Sequence, residues 1–388
     1  MTMKIEDVRT RLLDIPLGEP GLYDGGPPPP AKSWQYILVE IRTDDSTVGY
    51  GGQMPKNDID AANKIRYIDE VMKPYLVEEL VEPFYIGKYV NTDVTKAPTQ
   101  IRAPSCVEMA LWDLVGKSAG KPVYKLLGAT KDRVKAYATV PHEYPDWTAD
   151  QWVEMTKRVW DDGFRAVKLE MSTGKGIVDV KRDINTVKAV REEFGDKLDI
   201  MVDAENGWST SPHTFNTALK LARGYEEYDV IWMEEPLNHV SRPDLCAKLA
   251  AAVDLQIAGG GQITYSYNFR TILEKKALDI VQPDVENVGG ITETRRVAQL
   301  AEDFGQVCVC HSFGPGLLIP ATLQVVGSTN IPYVENVYYP PVITYEIRDS
   351  LLTEELRVED GYIDVPSKPG LGVELDIDMV EKYTVKKK

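Results

Sequence analysis

The residues able to do chemistry occur in a series, each closing a short apolar run in the second half of the chain. In order they are Lys168-Leu169-Glu170, Asp203-Ala204-Glu205-Asn206, Glu234-Glu235-Pro236, Gly259-Gly260-Gly261-Gln262, Gln282-Pro283-Asp284, His311-Ser312-Phe313 and Glu335-Asn336. A single carboxylate at a strand end is usually a helix cap or a solvated loop residue. Carboxylates that close two consecutive strands, as Asp203 and Glu234 do, converge on one volume, and their repulsion there calls for a cation. Hard oxygen ligands favour Mg²⁺, and no Cys/His spacing suggests zinc. Of the histidines other than His311, His142 and His239 read as solvated loop residues and His213 as the start of an outer helix, so none of the three is expected to be a base.

The elements that must carry this series follow from the rhythm of the chain. Short β-rich runs at 134–140, 166–171, 199–202, 230–233, 255–258, 279–281, 307–310 and 333–337 alternate with longer helical patterns. Val180, Ile184, Val187, Val190 and Phe194, for example, mark one face of a helix. Strands that alternate with helices in this number predict a parallel, TIM-like (β/α)8 barrel, whose active site sits at the C-terminal strand ends.

The first 50 residues read as antiparallel β, with strands at 5–15 and 35–42 and a turn at Asp44-Asp45-Ser46. Between the strands, Gly25-Gly26-Pro27-Pro28-Pro29-Pro30 can be neither helix nor central strand. It reads equally as a surface loop or as a lid flanked by Tyr23 and Trp34. Helices are expected at 61–76 and 105–127, the second opening on a Ser105–Glu108 capping box before Met109-Ala110-Leu111-Trp112. The strand-like 356–365 and a Pro/Gly-rich segment through Gly372 lead into a tail expected to return to the first lobe. The expected organisation is an α+β domain at 1–130, completed by 356–388, and a barrel at 131–355.

At 388 residues the chain is long enough for two packed lobes, and its apolar and charged fractions, 43% and 27%, are those of a globular protein. The formal net charge of −16 argues against a nucleic-acid partner, since nothing would neutralise a run of phosphates. No run approaches bilayer-spanning length, so no membrane is expected. Cys308 and Cys310 are expected to point apart and not to bridge. Cys106 and Cys246 fall in helical patterns, and a reduced, cytoplasmic compartment is the expectation. A homo-oligomer is expected on general grounds.

Several of these strings together resemble the mandelate racemase-like branch of the enolase superfamily. They are Ala110-Leu111-Trp112-Asp113-Leu114-Val115-Gly116-Lys117 with its continuation to Gly128, Glu234-Glu235-Pro236, Gln282-Pro283-Asp284 with Gly289-Gly290-Ile291, and the spacing to His311. The resemblance covers nearly the whole chain. It implies a substrate-selecting α+β cap over a modified barrel, in which Mg²⁺ stabilises an ene-diolate formed by proton removal beside a carboxylate. It also implies that Asp203 and Glu234 are metal ligands and that Asp284 orients His311 as the base. Glu335 would then hydrogen-bond the substrate carboxylate, and Lys168 matches the first lysine of the family's Lys-x-Lys element. The chemistry requires such a set: an α-proton beside a carboxylate is too weakly acidic for a side-chain base unless the new charge is neutralised.

Two positions depart from the pattern. Gly261 stands where the third metal ligand, a Glu, is expected, leaving Glu205, Gln262 or water to complete the shell. Glu170 stands where the second lysine is expected, as a partner for Lys168 or as a second acid for a leaving group. The activity these residues imply is dehydration of an acid sugar, an aldonate or aldarate, to a 2-keto-3-deoxy acid. The alternatives are an epimerase, racemase or cycloisomerase of such a carboxylate, or a sugar-acid-binding pseudoenzyme, which Gly261 keeps open.

Overall fold

A computed structural model describes residues 3–18, 32–81, 102–140, 147–171, 178–205 and 213–386. The Gly/Pro segment with Tyr23, His142 and Asn206 lie outside these residues.

The first lobe opens with an antiparallel three-stranded sheet, β1 (Ile5–Pro16), β2 (Ser33–Thr43) and β3 (Val48–Gln53), in that order. β3 escaped the sequence reading because Gly49, Gly51 and Gly52 give it almost no apolar alternation. The reason for those glycines is tertiary. A Cβ at Gly51 would lie 1.9 Å from the Cys106 carbonyl, so the helix Ala103–Ala119 packs directly on bare strand backbone. The first helix runs Asp58–Tyr67 and passes through a π-helical turn, Ile68–Met72, into Lys73–Leu76.

The second helix corrects the expected capping box. Ala103–Ala119 starts two residues earlier, with Arg102 at its N-cap and no side-chain cap. Its C-terminus is Gly120 in the left-handed region at φ 62°, where a residue without Cβ is favoured, and a short helix, Val123–Leu126, follows. Glu108, the supposed capping partner, caps a different helix. Its carboxylate accepts from the Ile291 and Thr292 N–H groups at 2.7 and 2.9 Å and from Trp112 Nε1 at 2.9 Å. These are the first N–H groups of Ile291–Asp303, a barrel helix. A Cβ at Gly290 would stand 2.0 Å from Glu108 Oε2, which explains that glycine. Burial pushes Glu108 up to about 7 against the pull of these hydrogen bonds. The two lobes are therefore joined by a buried, charge-assisted helix cap.

The barrel contains eight parallel strands: β4 (Arg133–Val140), β5 (Ala166–Glu170), β6 (Asp199–Asp203), β7 (Trp232–Glu234), β8 (Gln256–Gly259), β9 (Ile280–Val281), β10 (Val307–Cys308) and β11 (Tyr333–Val337). Each pairs with the next from β4 to β10. β11 pairs with β4, and a parallel bridge from Cys310 to Val334 closes the ring.

Residues two apart on a strand share a face, and this period organises the interior. Tyr137, Ala166, Met201, Trp232, Ala258, Ile280 and Val309 form one buried inner layer, against which Tyr333 packs. Two residues further along their strands stand Thr139, Lys168, Asp203, Glu234, Gly260, Gln282, His311 and Glu335. The apolar layer is thus the floor beneath the polar one. Helices such as Ala149–Asp161 and Val180–Phe194 cover the outward faces.

The tail divides where the sequence reading kept it whole. Residues Val358–Glu359 (β12) and Tyr362–Asp364 (β13) form a hairpin that pairs antiparallel with β4, so this part belongs to the barrel sheet. The helix Ile377–Tyr383 and the residues after it reach β1, where Val385 N–H donates to the Leu12 carbonyl at 2.8 Å. All four cysteines are free and buried. Cys308 lies near enough to raise the Cys310 thiol, contrary to the expectation that the two point apart, since residues two apart on extended chain share a side.

Candidate active site

A cavity of about 300 Å³ opens between the two lobes at the C-terminal strand ends. Met54, Pro55, Lys56 and Arg102 line it from the first lobe. Glu170, Asp203, Glu205, Glu234, Glu235, Gly261, Gln262, Glu286, Asn287, His311 and Phe313 line it from the barrel. The volume suits a small ligand. Trp34, half of the expected lid boundary, packs edge-on against Phe313, with ring centroids 6.1 Å apart.

His311 and Asp284 meet through a parallel bridge between the ends of their strands, and His311 Nδ1 lies 2.5 Å from Asp284 Oδ2. The Asp284 side chain is 2% exposed and that of His311 20% exposed, so the carboxylate is sealed behind a ring that faces the cavity. Burial pulls the imidazole down. The negative charge of Glu335 and the bond to Asp284 outweigh it, raising His311 to about 10. With Nδ1 held, Nε2 is the nitrogen that faces proton traffic.

Asp203 and Glu234 end adjacent strands and are register partners. Burial, then the charge of Glu234, pushes the Asp203 carboxyl well above the usual range, and Lys168 opposes this. The Lys168 ammonium, 1% exposed, lies 3.5 Å from Asp203 Oδ2, 3.0 Å from Glu234 Oε2 and 2.8 Å from Glu335 Oε1. Gln282 Nε2 adds a 2.7 Å donation to Glu234 Oε2. Among the described residues, no three His, Cys, Asp or Glu side chains stand in ready coordinating geometry, and the local cation is this ammonium. The donor set still suits a hard divalent cation. Asp203, Glu234 and Glu205 are all carboxylates on one cavity wall, and burial and the charges of its neighbours raise the Asp203 pKa, which a divalent cation there would relieve.

The two departures from the family pattern have visible surroundings. Glu205 sits at φ 47°, and its N–H donates to Asp203 Oδ1 at 2.8 Å. Gln262 is engaged elsewhere, its Oε1 accepting from Arg102 Nη2 at 2.8 Å. A Cβ at Gly261 would stand 3.0 Å from both Cγ and Cδ2 of His311, so the ring occupies the room a side chain there would need. Glu170 lines the cavity, and the ion-pair partners of Lys168 are Asp203, Glu234 and Glu335.

Glu335 lies beneath the cavity. It is fully buried and absent from the cavity wall, and its oxygens accept from Thr139 Oγ1 at 2.5 Å, Lys168 Nζ at 2.8 Å and Ser312 N at 2.8 Å. Burial raises its pKa, but Lys168 and His311 pull harder and lower it to about 2. It therefore sits behind the wall as an ionised brace for Lys168 and His311. His239 differs from expectation. It is buried, 4.0 Å from Glu235 Oε1, and burial lowers it to about 4, which keeps it neutral. His213 is likewise buried and lowered to about 4 by burial. The sequence reading missed Lys56 and Arg102, which only the lobe contact brings to the cavity wall, and Glu286, which lies in the short helix Val285–Val288 just after Asp284.

Comparison with known proteins supports this reading of the fold. Residues 151–379 match the family described as enolase C-terminal domain-like, and residues 31–128 match the mandelate racemase / muconate lactonizing enzyme N-terminal domain. An arabinonate dehydratase of Saccharolobus solfataricus is 31% identical over 91% of each chain. A D-galactarolactone cycloisomerase of Agrobacterium fabrum is 29% identical over 98% of this chain and 99% of its own. Among solved structures, an L-talarate dehydratase from Polaromonas sp. JS666, complexed with Mg and L-glucarate, superposes with a TM-score of 0.82 at 26% identity, covering 99% of this chain and 98% of that one. A closed barrel under an α+β cap, with carboxylates and a His–Asp pair on its strand ends, thus goes with matches over both halves of the chain: it belongs to the mandelate racemase / muconate lactonizing enzyme family of the enolase superfamily.

Proposed function

We propose that this chain removes the proton beside the carboxylate of a sugar acid, in a Mg²⁺-dependent reaction, and expels the β-hydroxyl as water to leave a 2-keto-3-deoxy acid. The observation that carries the proposal is that the His311–Asp284 pair opens onto the same cavity as Asp203, Glu205 and Glu234. Dehydratases and cycloisomerases of sugar acids among the relatives support the substrate class.

Asp203 and Glu234 would hold Mg²⁺, with Glu205 in place of the side chain that Gly261 lacks. The bound cation would supply the positive charge that makes the α-proton acidic enough to leave. The protein groups do the rest. Asp284 fixes the imidazole through Nδ1, so Nε2 takes the α-proton. The resulting imidazolium gives its proton to the departing hydroxyl, and one water leaves for each proton moved. Lys168, sealed behind the cavity wall and braced by Glu335, holds the Asp203 and Glu234 carboxylates in place. Glu170, on the cavity wall, is the second acid available to the leaving group. Phe313 and the first-lobe loop with Met54 and Pro55 keep bulk water from the reacting carbon.

The test is incubation of candidate aldonates and aldarates with the protein and Mg²⁺ in D₂O. A 2-keto-3-deoxy product supports the proposal. Deuterium entering the α-position with inversion, and no keto acid, would replace it with an epimerase that uses Lys168 or Glu170 as the second base.

A further inference from the structure

Two cations face the cavity, and the reaction above uses neither. Lys56 follows β3, and Arg102 precedes the helix Ala103–Ala119. Lys56 is exposed and Arg102 half-buried, whereas the chain's fully buried cations are paired, Lys64 with Asp60 at 3.0 Å and Arg348 with Asp349 at 2.6 Å. Among the described residues, neither Lys56 nor Arg102 stands within ion-pair distance of a carboxylate. Arg102 places Nη2 on the side-chain and backbone oxygens of Gln262 at 2.8 and 3.3 Å, and among the described residues the rest of its fork has no acceptor. The two charges also feel each other, since the nearness of Arg102 is the main reason Lys56 is lowered.

Their position is fixed by the lobe contact. Gln53 Nε2 donates to the carbonyls of Arg102 and Glu286 at 2.9 and 2.7 Å, and Glu286 Oε2 accepts from Met54 N–H at 2.8 Å. One of these bonds ties the two cation-bearing segments together, and the other two hold them to the barrel. A guanidinium with no carboxylate partner among the described residues, beside an ammonium, is a site for a planar anion, which Arg binds through two parallel N–H···O bonds.

We infer that Lys56 and Arg102 bind a second carboxylate of the substrate, at the end away from the reacting one, so that the substrate class is the dicarboxylic sugar acids rather than the monocarboxylic ones. This rests on the reading of the cavity as the site of proton removal, and it narrows that reading. The first carboxylate goes to the barrel end, with the cation that Asp203 and Glu234 would hold. The second reaches the first lobe, so the two lobes divide the ligand between them.

Binding decides it independently of turnover. Calorimetry on the Mg²⁺-loaded protein would compare adipate with hexanoate, two unreactive six-carbon acids that differ by one carboxylate. Two charge-assisted hydrogen bonds should favour adipate by about tenfold or more. Lys56→Met and Arg102→Met should each reduce that preference, and the double variant should erase it while hexanoate affinity stays within about twofold. Equal binding of the two acids by the wild type, or a preference that survives the double variant, overturns the inference. If adipate is preferred but no sugar acid of either class loses its α-proton, the second-carboxylate site stands and the proposed reaction falls. Preference for an aldonate carrying a terminal phosphate over the matching aldarate would overturn the dicarboxylate assignment.

Discussion

Two pairings of a carboxylate with a cationic side chain lie side by side at the top of this barrel, and they differ mainly in access. His311 and Asp284 meet at 2.5 Å with the imidazole on the cavity wall, whereas Lys168 and Glu335 meet at 2.8 Å with both side chains sealed. The first pair can exchange a proton with a ligand. The second has its polar atoms committed to protein partners, to Asp203 and Glu234 on one side and to Thr139 and Ser312 on the other. The same chemistry becomes reactive or structural according to which atom meets the cavity, and the buried pair tunes the open one through the charge of Glu335.

The comparison breaks most sharply at Lys168. Removing it strands Asp203, Glu234 and Glu335 without their shared cation, and losing one partner of a buried ion pair destabilises by roughly 3–5 kcal/mol. Lys168→Met should therefore show a much lower urea midpoint in the metal-free protein, with saturating Mg²⁺ restoring part of the loss. An unchanged midpoint would mean that the buried cluster is not held by this lysine.

His311→Asn should do the reverse. Its fold and Mg²⁺ affinity should survive while α-proton exchange falls by about 10²–10⁴-fold, the usual worth of a general base. Exchange within a few-fold of wild type, followed by NMR in D₂O, would move the base elsewhere.

A pH titration sharpens the contrast without mutation. His311 is raised from an ordinary 6.5 to about 10, so its stabilising contribution is fully present below pH 6.5 and fades as pH rises through about 10. Glu335 is lowered from 4.5 to about 2, so its contribution is present above pH 4.5 and fades as pH falls through about 2. A base must be unprotonated, so Mg²⁺ beside Asp203 should drive the His311 pKa down towards neutrality by repulsion. Imidazole chemical shifts with and without Mg²⁺ measure this, and a metal-independent value would uncouple the two sites.

The smallest expected effect is at Gly261. Gly261→Ala puts a Cβ 3.0 Å from the His311 ring, and the ring must tilt by a few tenths of an ångström. Turnover should fall by about three- to tenfold through misorientation of the base, with little change in stability. Gly261→Glu should tighten Mg²⁺ binding by restoring a carboxylate but carry the same penalty at His311. Improved affinity with undiminished turnover would show that the ring has room to spare.

The sequence by itself carried the barrel and its acid–base series. Period-two alternation is a local property of a strand, so runs such as Ala166–Glu170 and Tyr333–Val337 announce both their β character and the polar group two residues above the floor. Asp203, Glu234, Asp284 and His311 were legible because each ends its own strand. The rest depended on where other segments came to lie. Glu108 looked like a cap for its own helix and instead caps Ile291–Asp303, because its acceptors face the other lobe. Glu335 looked like a ligand for substrate and turned out sealed, since Thr139 and Ser312 reach it from neighbouring strands. Lys56 and Arg102 carry no local signature at all. Their charges matter only because the lobe contact through Gln53 and Glu286 sets them over the strand ends, and burial, charge and access are properties of that assembly rather than of any stretch of chain.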